Sequence, residues 1–281
     1  VLSLAGSKLD KAKLWGALIP SMGYMALLRN LRGFDEARVP DDVADQVAAR
    51  LSDPGQVAKS RQFPFRFLSA YRAVPSLRWS WPLEKALNAS LSNVPALKGR
   101  TLVLVDRSPS MWGQKFSKHS DMPWADAAAI FGIAVALRAE RADLAEFGIQ
   151  SAPVEFRPGE SVLKVVQRFH QIGGTDIPSA VKRFYAGHDR VVIVTDEQTR
   201  AGWLPSNGMG YGGSGPMLID DLIPRHIPLY MWNFGGYGHG AAPSGQGQRH
   251  TFGGLTDSAF RMVPLLESGR DAAWPWTEAA D

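Results

Sequence analysis

Three oxygen-bearing side chains at alternate positions, Asp106, Ser108 and Ser110, follow directly on the apolar run Thr101-Leu-Val-Leu-Val105. Such a run has the composition of a strand buried on both faces. A loop at the carboxyl end of a buried parallel strand opens into the crevice where open α/β sheets bind ligands. One carboxylate and two hydroxyls are hard donors, suited to a hard divalent cation that keeps some of its waters. Taken alone, the stretch reads equally well as a strand ending in a polar turn, since Ser, Asp and Pro are ordinary turn residues. Two later stretches extend the pattern. Gly173-Gly-Thr-Asp-Ile177 places Thr175 in a glycine-led loop ahead of a predicted helix. Val191-Val-Ile-Val-Thr-Asp196 is a second buried-strand run that again ends in Asp.

Asp106, Ser108, Ser110, Thr175 and Asp196, each at a strand or helix boundary, resemble the metal-ion-dependent adhesion site of a von Willebrand factor A domain. The resemblance implies that the two serines and the threonine contact Mg²⁺, or Mn²⁺ or Ca²⁺ in its place. It implies that the aspartates act mostly through water, and that a ligand such as a partner protein's carboxylate supplies the last oxygen. Pro109 is unusual inside that loop; it leaves the oxygens intact and stiffens their geometry.

The elements that must position these residues fall into two blocks. The 281 residues, 45% hydrophobic and 21% charged, have room for one large domain or two modest ones, each able to bury a core. Cysteine is absent, which removes disulfide frameworks and thiolate metal sites and suits a reducing, cytoplasmic compartment. No apolar run approaches the ~18 residues of a membrane span, and the short, uncharged start is not a signal peptide. The chain lacks an initiator Met, so it is expected to be a piece of something longer. Residues 1–100 hold 15 Lys and Arg against 8 Asp and Glu, a balance of +7, whereas residues 101–281 hold 16 against 19, a balance of −3. A basic block joined to an acidic one points to a polyanion on the first part, or to no more than scattered solvated charges.

The first block reads as short amphipathic helices. Leu14, Trp15, Leu18 and Ile19 form one apolar face, and Met22, Met25, Ala26, Leu28 and Leu31 a second, with Gly33 as terminator. Val43, Val47 and Leu51 form a third helix, closed by Asp53-Pro-Gly55. Two more lie over Phe63–Tyr71 and along Leu83, Leu87 and Leu91. Stacked helical hairpins fit this pattern, although no clean repeat period is present. From Lys59 to Leu83 there are five basic residues and no acidic one, interleaved with Phe63, Phe65, Phe67, Tyr71, Trp79 and Trp81. Arginine for phosphate and aromatic faces for unpaired bases are components of single-stranded RNA binding, although the helical spacing of these aromatics favours core packing. Arg29 and Arg32, three apart on one helix face, either meet a ligand or complement the helix dipole.

Gly16-Ala-Leu-Ile-Pro20, Ala26-Leu-Leu-Arg-Asn-Leu31, Phe63-Pro-Phe-Arg-Phe-Leu68 and Leu83-Glu-Lys-Ala-Leu87 resemble the last part of a TROVE module, the HEAT-like helical ring of the Ro ribonucleoprotein family. In that family the module runs straight into an A domain, as Lys98-Gly-Arg-Thr-Leu-Val-Leu-Val-Asp106 does here. The resemblance implies a helical segment over residues 1–97, an A-like domain over 98–268 and a tail over 269–281. The A-like domain would be a Rossmann-like, mostly parallel α/β sheet with helices on both faces. It further implies a non-coding-RNA-binding protein of RNA quality control that takes Y-like RNA or single-stranded ends, with the early helices of the ring lying outside this chain. Arg29, Arg32, Lys59, Arg61 and Arg66 are the candidate RNA contacts. The alternative is a metal-dependent protein-recognition module with the helices as scaffold.

In the second block a helix is predicted over Trp124–Ala139, followed by a strand pair, Ala145–Ile149 with Val154–Phe156. Further helices are predicted over Val162–Phe169 and Asp257–Leu266, and a strand over Ile227–Trp232. Two glycine-rich stretches, Gly208–Gly213 and Gly236–Ala241, fit a dinucleotide fingerprint by spacing, but neither opens a helix behind a strand as that mechanism requires. The six His show no zinc-ligand spacing. Ser108 stands where an aspartyl phosphatase needs a second carboxylate, and no nucleophile–base set is legible. Binding without turnover is the expectation, with no membrane association.

Overall fold

The computed structural model describes residues 10–74, 76–117, 120–196, 219–235, 247–256 and 258–269. It divides into two units, the first ending at Asn93 and the second beginning at Val94. The glycine-rich stretches at 208–213 and 236–241 and nearly all of the tail lie outside the described residues.

The first unit is helical: α1 (Lys11–Leu18), α2 (Tyr24–Glu36), α3 (Asp41–Ser52), α4 (Pro54–Ser60), α5 (Pro64–Ala73) and α6 (Ser80–Ser90). Leu27, Leu28, Leu31 and Phe34 of α2 are buried, as the helical spacing predicts. α6 packs against α3, α4 and α5 and buries Leu83, Ala86 and Leu87. Two expectations need correction. Gly33 does not end its helix: α2 runs on to Glu36. A Cβ at Gly33 would stand 3.5 Å from Trp15 Cζ2, and the Trp15 ring packs edge-on against Phe34 with centroids 4.9 Å apart. A side chain there would meet the ring at ordinary contact distance, so Gly33 is neither a left-handed stop nor required by its neighbour. Asp53-Pro-Gly55 closes α3 but also starts α4, with Asp53 accepting from Gln56 N–H at 2.7 Å and Pro54 in the first turn.

The second unit alternates strand and helix: β1 (Leu97–Asp106), α7 (Ser110–Gly113), β2 (Lys115–Ser117), β3 (Ser120–Pro123), α8 (Trp124–Arg138), β4 (Ala139–Phe147), β5 (Ser151–Pro153), α9 (Val162–Val166), α10 (Ile177–Phe184), β6 (Arg190–Thr195), α11 (Ile219–Leu222), β7 (Leu229–Asn233), β8 (Arg249–Gly253) and α12 (Ala259–Ser268). The main sheet has the order β5-β4-β1-β6-β7-β8. All its pairings are parallel except that of β5 with β4. Strand periodicity sorts the residues of each strand between two covered faces. Leu102, Leu104, Val191, Ile193, Leu229 and Met231 form one core with Ile177, Ala180 and Val181 of α10 and Ile219 of α11. Val103 and Val105 face Gly132 of α8, and Phe131 of α8 packs on Trp232 and on Phe260 of α12.

Several boundaries differ from expectation. β4 begins at Ala139, directly behind α8, and the antiparallel strand is Ser151–Pro153, not Val154–Phe156. α9 stops at Val166, and α12 is shifted to Ala259–Ser268 with Pro264 inside it. The differences fall at element ends, which hydrophobic periodicity marks less sharply than element interiors.

Candidate functional site

In the sheet, β4 lies on one side of β1 and β6 on the other, so the strand order reverses at β1. The crevice beyond the carboxyl ends of β1 and β6 is where such sheets take ligands. Asp106 is the last residue of β1, Thr195 the last of β6, and Asp196 follows it. Asp106, Ser108, Thr175 and Asp196 are all buried.

Asp106 Oδ1 accepts from Ser108 N–H at 2.8 Å, and Asp106 Oδ2 accepts from the Thr195 hydroxyl at 2.6 Å. The hydroxyls of Ser108 and Ser110 are 3.1 Å apart. Pro109 between them has φ −58°, the value its ring prefers, so proline fits this loop. Thr175 reaches the same end of the sheet through its loop. Ile172 N–H donates to Arg107 C=O at 2.9 Å, and Asp176 N–H donates to Gly148 C=O at 2.9 Å. Two glycines permit this closeness. Gly174 has φ +62°, and a Cβ at Gly148 would stand 2.7 Å from Ile172 Cγ2. Asp176 then caps α10, accepting from Ser179 N–H at 3.0 Å.

Burial pushes the Asp106 carboxyl up to about 6 and the nearby Asp196 charge adds to the rise, against the hydrogen bonds from Thr195 and Ser108. A buried carboxylate beside a second one is a site of excess negative charge, which a divalent cation would offset. The donors that flank it are hydroxyls and carboxylates, hard oxygens of the kind Mg²⁺ takes. Among the described residues there is no cluster of three or more His, Cys, Asp or Glu; the fit here rests on two carboxylates and neutral hydroxyls.

Sequence reasoning passed over two residues. Thr195, next to Asp196, had no role assigned, yet its hydroxyl holds Asp106. Arg107, the residue between the site's first two oxygens, is 1% exposed. Its guanidinium lies between Trp112 and Phe169, 4.4 and 5.3 Å from their ring centroids. It donates to His170 C=O at 3.1 Å and also to Ala125 C=O. Its own N–H donates to Phe147 C=O at 2.8 Å. Arg107 thus joins the end of β4, the first turn of α8 and the 169–172 segment behind the oxygen-bearing loop. The signal for Thr195 was its place at a strand end beside Asp196; Arg107 carried none, because its partners are distant in sequence.

In the helical unit Arg29, Arg32, Lys59, Arg61 and Arg66 are all exposed. α2 extends a full turn beyond Arg32, so neither arginine of that helix sits in its last turn. Arg32 instead donates to Ala73 C=O at the end of α5, at 2.9 Å. Lys59 lines a groove of about 470 Å³ with Gly23, Tyr24, Met25, Ala26, Gln56 and Ser60. Arg61 closes α4 in the left-handed region, φ 54°. Phe63, Phe65, Phe67 and Trp79 are buried, so packing accounts for most of the aromatics in the basic stretch.

Comparison with known proteins bears on both units. Residues 3–86 match the TROVE domain model. Telomerase protein component 1 of Mus musculus is 38% identical over 78 residues, which are 27% of this chain and 3% of that protein. The crystal structure of the Deinococcus radiodurans RO (RSR) protein matches with a TM-score of 0.70 at 21% identity, over 95% of this chain and 57% of that one. At that identity the likeness speaks to the fold alone: a helical unit followed by a mostly parallel α/β sheet with helices on its faces. The chain spans little more than half the length of the Deinococcus protein and a small fraction of the mouse one.

Proposed function

We propose that this chain, which carries a TROVE-type helical unit over residues 3–86, belongs to an RNA-binding ribonucleoprotein of the Ro type. The match of the helical unit to the TROVE model carries this reading. The charge balance of +7 over residues 1–100 and the exposure of Arg29, Arg32, Lys59, Arg61 and Arg66 support it, because guanidinium and ammonium groups open to water are what phosphates require. The RNA is a non-coding one, of the Y-like kind or an unpaired end, handled in RNA quality control.

In the same proposal the A-like domain holds Mg²⁺ through Ser108, Ser110 and Thr175, with Asp106 and Asp196 supplying negative charge behind them. A bound cation would offer a partner protein's carboxylate its remaining position. Arg107 keeps the loop in place, and Thr195 orients Asp106. No general base stands beside a nucleophile in this set, so the role proposed is recognition without turnover. Among the described residues no helix is long and apolar enough to cross a membrane.

The test is a filter-binding titration with a structured RNA across a salt series. Log K should fall linearly with log salt, each phosphate contact adding about 0.7–0.9 to the slope. Charge reversal of Arg29, Lys59, Arg61 and Arg66 should reduce the slope along with the affinity. Absence of binding at low salt by both this chain and a longer one that includes the preceding helices would overturn the reading.

A further inference from the structure

Two tryptophans two residues apart in the basic stretch have opposite environments. Trp79 is fully buried and donates from Nε1 to Asp35 at 2.9 Å. Trp81, in the first turn of α6, is 60% exposed, and Leu77 just before it is 87% exposed. One turn along α6, Lys85 Nζ lies 4.1 Å from the centroid of the Trp81 ring. The neighbouring cation, Arg78, is committed to Asp41 and Asp35, which leaves Lys85 as the charge at the indole. Packing explains the buried aromatics of this segment and does not explain Trp81. A wide aromatic face beside an ammonium group, at the end of the Lys59–Leu83 stretch with its five basic residues and just past Glu84, matches an unpaired nucleotide: a flat base and the phosphate next to it.

We infer that Trp81 and Lys85 form a stacking platform for one unpaired base of an RNA strand. The exposed cation–π pair is weak compared with base stacking. Lys85 can therefore yield the ring to a base and keep its charge for the adjacent phosphate. The inference rests on the RNA-binding reading and adds a base contact to the phosphate contacts proposed for the arginines.

The chain itself is titrated with a fluorescent oligouridylate and with an abasic ribose-phosphate strand of the same length. Trp81→Ala should weaken oligouridylate binding roughly five- to a hundredfold, Trp81→Phe should retain most of it, and neither should alter binding of the abasic strand. Lys85→Gln should lower the salt slope by about 0.7 on both strands. The melting temperatures of all three variants should match wild type, since the side chains replaced are open to solvent. If Trp81→Ala binds oligouridylate as wild type does, or loses both strands equally, the platform is overturned while the RNA function stands. If Trp81→Ala keeps RNA affinity but abolishes self-association in sedimentation, the patch is a protein contact and the platform is likewise overturned. Wild type that binds neither these strands nor structured RNA at low salt would remove the functional reading, and the platform with it.

Discussion

Asp106→Asn removes a charge while keeping the shape of the side chain. Burial and Asp196 raise the carboxyl from 3.8 to about 6. At about 1.4 kcal/mol per unit, holding it ionised at neutral pH costs the folded protein roughly 3 kcal/mol. Because the folded value lies above the unfolded one, the stabilisation from the protonated form is complete below the unfolded value and is lost as pH rises through about 6. Asparagine avoids this cost. Its Oδ1 can accept from Ser108 N–H, and its Nδ2 can donate to the Thr195 hydroxyl, which reverses its role. In chelator near pH 7.5 the variant should therefore be about 1–3 kcal/mol more stable than wild type, and the difference should close near pH 4. In Mg²⁺ at ten times its dissociation constant wild type should gain about 1.4 kcal/mol and the variant nothing. Urea denaturation followed by tryptophan fluorescence measures all of these. A variant less stable than wild type in chelator, or an equal advantage at both pH values, would refute the electrostatic argument. Equal gains from Mg²⁺ in both proteins would refute the cation site.

Gly132→Ala should destabilise the second unit by about 1–3 kcal/mol, as overpacked cores do. The new methyl would stand 2.5 Å from Val105 Cγ2, and a β-branched side chain in a full core has little freedom to turn. Urea titration checks this. At the opposite end of the sheet, His188 Nε2 and Asp143 Oδ2 lie 2.7 Å apart. Burial holds the His188 imidazole below its ordinary value, although Asp143 pulls the other way. The stability that neutral His188 contributes is complete above its unfolded value of 6.5 and is lost as pH falls toward the lower folded one. Across that window the urea midpoint of His188→Gln should rise relative to that of wild type as pH falls, whatever the other groups contribute to both; parallel profiles would refute the assignment.

The two-block organisation, the doubly covered sheet and the positions of the oxygen-bearing loops were legible in the sequence. Each rests on a local signal: unbroken apolar runs ending in Asp, helical spacing, a glycine-led turn. What was not legible depends on groups far apart in the chain. Gly33 reads as a stop, yet α2 runs through it to Glu36, carried by the burial of Leu31 and Phe34 on either side. Arg107 reads as a loop residue until Phe169, His170 and Ala125 converge on it. Trp79 and Trp81 look alike in the sequence, and only folding separates a core ring from a surface one. The end of α8 was near its expected place, but the immediate turn into β4 was not foreseen, because no Gly or Pro marks it.

The outer strand β5 has three residues and ends on Pro153, while the next exposed apolar side chain, Ile149, sits in the turn before it. A proline lacks the N–H that an incoming strand would need, and three residues give such a strand almost no length to pair with. This margin of the domain is therefore closed to strand addition. Contacts at this edge must be made by side chains, which release more readily than a continued sheet. A blunt edge of this kind keeps any association along this margin reversible.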